Sequence, residues 1–313
     1  MKIRLGIYSP TQHSEWNHFV YGAKNSTFMH LREYMDYHSQ RFSDCSIVAY
    51  QDNKIIGVMP ANRVGDTLYS HQGLTYAGWL VPTKHFDVVN MLAIWDAMAE
   101  FLPTIGIKRL VYKPSPHIYH SYPAEEDLYA IFRHNGVITA SNISSAIPVA
   151  DAIRFNENSR RQVRLAQNEG VTVEETSDYE AYWNVLTELL DERYGVKPVH
   201  TLAEINLLHS LFPINIRLFT ACLGGEVLGG VLIYHTGHVA HAQYIAASKR
   251  GKKMKVLPMI FDHLINNEFS QTRYFDFGIS NEQGGWVLNE GLAMQKSGMG
   301  GRGIVYNTYT IEF

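Results

Sequence analysis

The stretch "YFDFGISNEQGGWVLNEGLAMQKSGMGG", Tyr274 to Gly301, sets one carboxylate, Asp276, inside an apolar run and one lysine, Lys296, beyond a glycine-rich segment. Alternation along "RYFDFG" puts Tyr274, Asp276 and Gly278 on one strand face and Phe275 and Phe277 on the other. A carboxylate at the C-terminal end of a central strand can hold or deprotonate an amine. An Asp there can equally cap the following loop through backbone N–H groups. Lys296, taken alone, reads as a surface lysine.

Upstream, "AASKRGKKMKVLPMIF" gathers Lys249, Arg250, Lys252, Lys253 and Lys255 around Gly251. The run lies between a strand ending near Ala247 and a helix with Pro258 in its first turn. Backbone N–H groups, the positive end of the helix dipole and ammonium groups converge there, which suits phosphate; a solvated lysine-rich turn has the same composition. Tyr244 and Tyr234 carry hydroxyls able to protonate a leaving group, although strand tyrosines also serve as core residues with a wet hydroxyl. His235, His238 and His241 are three apart on a strand-turn-strand, so they do not converge on one metal, and no metal is expected. Arg154, Arg160, Arg161 and Arg164 fall on a helix that either meets a phosphate-bearing substrate or is a solvated face. His117 and His120 flank a Pro-Tyr loop that is a candidate lining. In "YSHQGLTYAGWL", Gly73 and Gly78 bracket aromatics, marking either a close backbone approach or a bulge.

These residues are set on a chain that repeats itself. In the first half, "WNHFVYGAKNSTFMHLREYMDYHSQRF" has helical spacing, and "CSIVAYQDNKIIGVMPAN" reads as two strands around an Asp-Asn turn. A strand "LTYAGWLVP", a helix "HFDVVNMLAIWDAMAEFL", a strand "KRLVYKP" and a helix "AEEDLYAIFRHNG" follow. The second half runs helices around Tyr179–Arg193 and Leu202–Leu211, then a ribbon "IRLFTACLGGEVLGGVLIYH", a strand "HVAHAQYIAAS", a helix "VLPMIFDHLINNEF" and the strand "RYFDFG". The order suggests an internal duplication: in each copy the last two strands are joined through a helix and should be parallel neighbours, whereas the short Asp-Asn and Gly-Gly links imply antiparallel pairs. The expectation is two α/β lobes, 1–150 and 151–313, each a mixed, largely antiparallel sheet flanked by helices.

Composition sets bounds on this reading. With 313 residues, 46% hydrophobic and 18% charged, the chain has material for two cores of ordinary size. A formal charge of -3 gives no global attraction to nucleic acid or an acidic membrane, so any anion site must be local. Cys45 and Cys222 stand far apart without a CxxC, which suggests neither a disulfide framework nor structural zinc. The first residues lack the apolar core of a signal peptide, and no apolar run approaches the roughly 20 residues that span a bilayer. A soluble protein of a reducing cytoplasm is expected.

A strand ending in the apolar Ile245-Ala246, a basic loop with Gly251, and a helix opening on that loop resembles the coenzyme-A pyrophosphate loop of GNAT-type N-acyltransferases. The tandem arrangement is similar to the FemAB group, in which two GNAT-like lobes sit side by side. That resemblance rests on "SEWNHFVYGAKNSTFMHLREYMDYHSQRFSD", "KPSPHIYHSYPAEEDLYAIFR", "NSRRQVRLAQNEGVTVEE", and "FDFGIS" with "NEGLAMQKSGMGG". It implies an acyl-CoA donor, acetyl-CoA foremost, held at Ile245, Ala246, Lys249, Arg250, Gly251, Lys252, Lys253 and Met254. The first-lobe equivalent, "GWLVPTKHFD", keeps one lysine, Lys84, and no glycine between strand and helix. The resemblance further implies catalysis by Asp276, Lys296 and Tyr244, with Lys296 matched to the lysine of a Fem-type Phe-Lys pair, and an amine acceptor lined by Tyr76, His117, Tyr119, Asn281 and Gln295. The acceptor class it implies is an amino sugar or peptide amine of envelope synthesis. Fem-type transfer from aminoacyl-tRNA is the alternative, and a non-catalytic ligand-binding protein of the same fold the second; the chain between Arg154 and Phe313 has no segment long enough for the coiled-coil arm of many tRNA-using Fem enzymes, which favours a small thioester.

Overall fold

A computed structural model describes residues 2–313, and the chain divides into two compact units. Of the described residues, the first comprises 2–142, 282–287 and 305–313; the second comprises 143–281 and 288–304.

In the first unit, strand β1 (Arg4–Ile7) and helices α1 (His13–Gly22) and α2 (Arg32–Asp36) precede a hairpin of β2 (Ile47–Gln51) and β3 (Lys54–Met59). The hairpin turns at Asp52 and Asn53, both with positive φ, as the two central residues of a type I′ turn require. Strands β1, β2 and β3 make one antiparallel sheet. Strands β4 (Asn62–Val64), β5 (Thr67–Tyr69) and β6 (Arg109–Tyr112) follow, with α3 (Val88–Thr104) crossing from β5 to its parallel neighbour β6. Asp87 starts α3 by accepting the N–H groups of Val89 and Asn90, which no helical carbonyl reaches. Met91, Ile94, Trp95, Met98 and Leu102 of α3 are fully buried in a core with Trp79, Leu110 and Tyr112. Helix α4 (Glu126–Arg133) contributes Ala130 and Ile131 to that core, and β7 (Val137–Pro148) leads out of this unit.

The second unit contains α5 (Glu157–Asn168), β8 (Thr172–Thr176), α6 (Tyr179–Tyr194), α7 (Leu202–Leu211), β9 (Ile216–Leu223), β10 (Glu226–His235) and β11 (Val239–Ala247). It continues with α8 (Lys249–Lys253), α9 (Val256–His263), β12 (Tyr274–Ile279), one residue each of the short strands β13 (Asn281–Glu282) and β14 (Val287–Leu288), α10 (Glu290–Gly298) and the start of β15 (Arg302–Glu312). Its sheet runs β7-β12-β11-β10-β9-β8. Only β11 and β12 are parallel, joined through α9; the β9-β10 ribbon turns at Gly224 and Gly225. Val231, Ile233, Ala240, Ala242, Phe275 and Phe277 bury one face against α5 and α9. Helix α6 covers the opposite face, where Gly230 leaves room for the Tyr182 ring.

Three expectations need correction. The boundary is not at 150/151: the second half of β7 pairs with β12 and so belongs to the second unit, while the chain end returns to pair with β6 in the first. The segment "LTYAGWLVP" is not a strand. It makes only isolated bridges, Val58 to Leu80, Ala77 to Pro114 and Ala23 to Pro82, because Gly78 turns at φ 83° and the Tyr112 hydroxyl occupies the space where its Cβ would stand. The strand that crosses through α3 is β5 instead. Finally, the basic run is not an open loop: Ser248 caps α8, its hydroxyl accepting the Gly251 N–H at 3.0 Å.

Gly251 is there for close packing. A Cβ on it would lie 2.1 Å from the Leu228 carbonyl oxygen of β10. Gly251→Ala is therefore expected to cost about 1–3 kcal/mol by overpacking, read as a lower urea midpoint at unchanged m-value.

Candidate active site

Strand β11 pairs with β12 over three positions only, Val239 with Tyr274, Ala240 with Phe275 and His241 with Asp276. Beyond them β11 runs on to Ala247 beside β10, and β12 turns toward β7. The two parallel strands thus form a fork, and its closed end carries a histidine and a carboxylate on the same face.

Two irregularities tune that face. The β10–β11 register shifts so that Leu232 opposes Tyr244 and Ile233 opposes Ala242, leaving Gln243 as an extra residue. Cross-strand partners share a face, so the bulge brings Tyr244 to the His241 side; a regular strand would set residues three apart on opposite faces. On β12 the pairing with β7 shifts between Asp276 and Ile279, where Gly278 adopts φ 77°.

Asp276 is fully buried. Its Oδ1 accepts the Ser144 hydroxyl at 2.5 Å and the Gly278 N–H at 3.0 Å, and its Oδ2 meets His241 Nδ1 at 2.9 Å. Hydrogen bonds to a charged group contribute about 1.5–3 kcal/mol each, which is the order of magnitude needed to hold a carboxylate out of water. One oxygen fixes the turn, as the capping reading expects, and the other faces an imidazole. A carboxylate accepting from Nδ1 sets the tautomer with the proton on Nδ1 and the lone pair on Nε2, the form of a general base. The His241 side chain is 13% exposed, so solvent or substrate reaches it.

Residues 154–283 match the family model described as an acetyltransferase (GNAT) domain. No curated protein is matched by the sequence. Among solved structures the chain is similar to FemX, with TM-score 0.67, 13% identity and coverage of 100% of this chain and 98% of that one. It is similar to L-PGS from Bacillus licheniformis (0.61, 12%, 98% and 92%) and to a tandem GNAT protein from the clavulanic acid biosynthesis pathway (0.50, 9%, 99% and 98%). The chain has a FemAB-like tandem GNAT fold.

Within this tandem GNAT fold the sequence-expected residues are dispersed. Tyr244 lies at the fork: its hydroxyl is 2.7 Å from His200 Nδ1 and its ring stands edge-on to Trp183. Burial pushes its pKa up to about 12, keeping the hydroxyl protonated. Ile245 and Ala246 continue β11 opposite Val231 and Gly230. On α8, Lys249 pairs with Glu192 at 2.6 Å and Arg250 pairs with Glu226, while Lys252 and Lys253 are exposed and Met254 half-buried. Asn281 is spent on structure, its Oδ1 accepting the Ile143 N–H at 2.7 Å. Gln295 is exposed on α10. Tyr76, His117 and Tyr119 belong to the first unit, where Tyr76 and Tyr119 are buried with ring centroids 4.5 Å apart and His117 is exposed.

Lys296 is not a surface lysine. It is 3% exposed, and its Nζ donates to the carbonyls of Gly278 and Ile279, both at 2.7 Å. The lysine thus ties α10 to the turn that ends β12. His241 and Ser144 were missed by sequence reading. The available signal was that two strands predicted to be parallel neighbours each carried polar residues in an apolar run, His241 and Gln243 in one and Asp276 in the other, but the register that puts His241 beside Asp276 is not written in either strand.

Burial lowers the Lys296 pKa from 10.5 to about 8, with the Asp276 charge opposing that fall. Between about pH 8 and 10.5 the folded chain has lost a proton that the unfolded chain keeps, so stability rises with pH there. Lys296→Met is expected to flatten this rise; denaturant midpoints from pH 7.5 to 10.5 for the two proteins are the check.

Proposed function

We propose that the protein is an N-acyltransferase that moves an acyl group from an acyl-CoA thioester to an amine. The observation that carries this reading is the Asp276–His241 pair at the closed end of a β11–β12 fork, inside the segment matched as a GNAT domain. An acyl chain entering the fork would meet, in order, the β11 backbone beyond the bulge, the Tyr244 hydroxyl and the His241 imidazole.

The acceptor amine attacks the thioester carbonyl carbon as its proton passes to His241 Nε2, and Asp276 stabilises the imidazolium through Nδ1–H. The new C–N bond forms, the C–S bond breaks, and the departing sulfur takes a proton. Tyr244, protonated and on the same face, is the residue assigned to that delivery. Asp276 is itself walled in and acts through His241, and Lys296 serves by fixing the strand end. The donor phosphates are assigned to the exposed cations of α8, Lys252 and Lys253 above all, since Gly251 is committed to packing. An aminoacyl-tRNA donor is the competing reading, supported by likeness to FemX over the full chain.

The deciding experiment is calorimetric titration with acetyl-CoA and longer acyl-CoAs, beside Lys252→Glu/Lys253→Glu. Micromolar binding that is lost in the double variant supports the assignment, and no binding of any acyl-CoA sinks it in favour of charged tRNA or a ligand-binding protein. With an amine acceptor in hand, His241→Asn is expected to lower kcat by about 10²–10⁴-fold, the usual contribution of a general base, while leaving acyl-CoA affinity within about threefold.

A further inference from the structure

On the side of α10 away from its Lys296 anchor, Ile153, Arg154, Asn156, Ser297, Gly298 and Arg302 enclose an open cleft of about 530 Å³. Its floor is made by unusually close backbone approach. Asn156 N–H donates to the Gly298 carbonyl at 2.8 Å; a Cβ on Gly298 would stand 2.7 Å from Asn156 Nδ2, and one on Gly300 would stand 2.5 Å from the Ile153 carbonyl oxygen. Small residues at both points hold the segment before α5 rigidly against the end of α10.

The charge of the cleft is one-sided. No acidic residue lines it, whereas two arginines do. Arg302 is seated by its Nη1, which donates to the carbonyls of Gly301 at 2.7 Å and Ser297 at 3.4 Å. Among the described residues neither Arg154 nor Arg302 takes part in an ion pair, although the Arg154 charge is near enough to Glu157 to act on it. The one carboxylate of the α5 first turn, Glu157, is already held by Arg160 at 2.6 Å and Arg164 at 2.8 Å. Guanidinium groups present a planar fork that matches the oxygens of phosphate and carboxylate, and the positive end of the 12-residue α5 adds to the same potential. The apolar wall given by Ile153 and by Met294, which is 73% exposed, is what an organic body attached to such a group would cover.

We propose that this cleft is a second ligand site, binding a small molecule through its phosphate or carboxylate oxygens to Arg154 and Arg302. The volume exceeds that of a bare oxyanion several-fold and falls within the 300–1,000 Å³ of ordinary small-molecule pockets. The proposal is independent of the chemistry at the fork, since none of the fork's residues contributes to it.

The test is calorimetry at constant ionic strength with sodium pyrophosphate and, separately, trisodium citrate as probes. The expected result is saturable one-to-one binding of one of them, and which one binds tells phosphate from carboxylate recognition. Affinity should fall at least tenfold in Arg154→Ala and in Arg302→Ala, and persist in Lys252→Glu/Lys253→Glu. Among the described residues Arg154 makes no side-chain hydrogen bond to the fold, so Arg154→Ala decides the question should Arg302→Ala unfold. Binding of neither probe, binding undiminished in Arg154→Ala, or binding abolished by the lysine double variant would overturn the proposal.

Discussion

The second unit is organised by the need to keep one carboxylate, Asp276, out of water. A fully buried carboxylate must be met by donors or it costs several kcal/mol. Each donor supplied here comes from a different element: Ser144 from β7, the Gly278 N–H from the turn after β12, and His241 from β11. Those contacts fix the register of three strands at one point. The fork follows, because Gly278 leaves the strand conformation immediately after the point where the last β11–β12 pair is made.

Lys296 completes this arrangement from the other side. The carbonyls of Gly278 and Ile279 lie at the turn, and an ammonium on a flexible four-carbon stem reaches both from α10. The cost is desolvation of the ammonium, visible in its lowered pKa, and nearby Asp276 offsets part of it. A buried cation and a buried anion so close stabilise one conformation of the strand end rather than the fold as a whole. That is what a site needing a fixed imidazole requires.

Much of this was legible from the sequence. The turn signals at Asp52-Asn53 and Gly224-Gly225, the helical period of 88–104 and the apolar runs of 239–247 and 274–279 gave the elements, and the helix between the last two strands gave their parallel pairing. The reading failed where a local pattern had a second physical use. "LTYAGWLVP" has strand composition, but Gly78 is claimed by the Tyr112 hydroxyl. "KRGKKMK" has the composition of an open loop, but its glycine lets a helical turn rest on the Leu228 carbonyl, and two of its cations are paired with Glu192 and Glu226. Lys296 has the context of a surface residue, and only the turn at Gly278 gives its ammonium a reason to be inside.

The sequence by itself determined the order of elements, the face on which Asp276 lies and the tandem character of the chain, because these depend on periodicity and short-range turn chemistry. Tertiary structure alone decided that His241 rather than Lys296 faces the Asp276 carboxylate, that Tyr244 shares their face, and that the last strand returns to the first unit. Each of these depends on register: one extra residue at Gln243 changes which side chains meet, and registers between strands far apart in sequence are set by the sum of packing and hydrogen bonds across the sheet, not by any segment's own pattern.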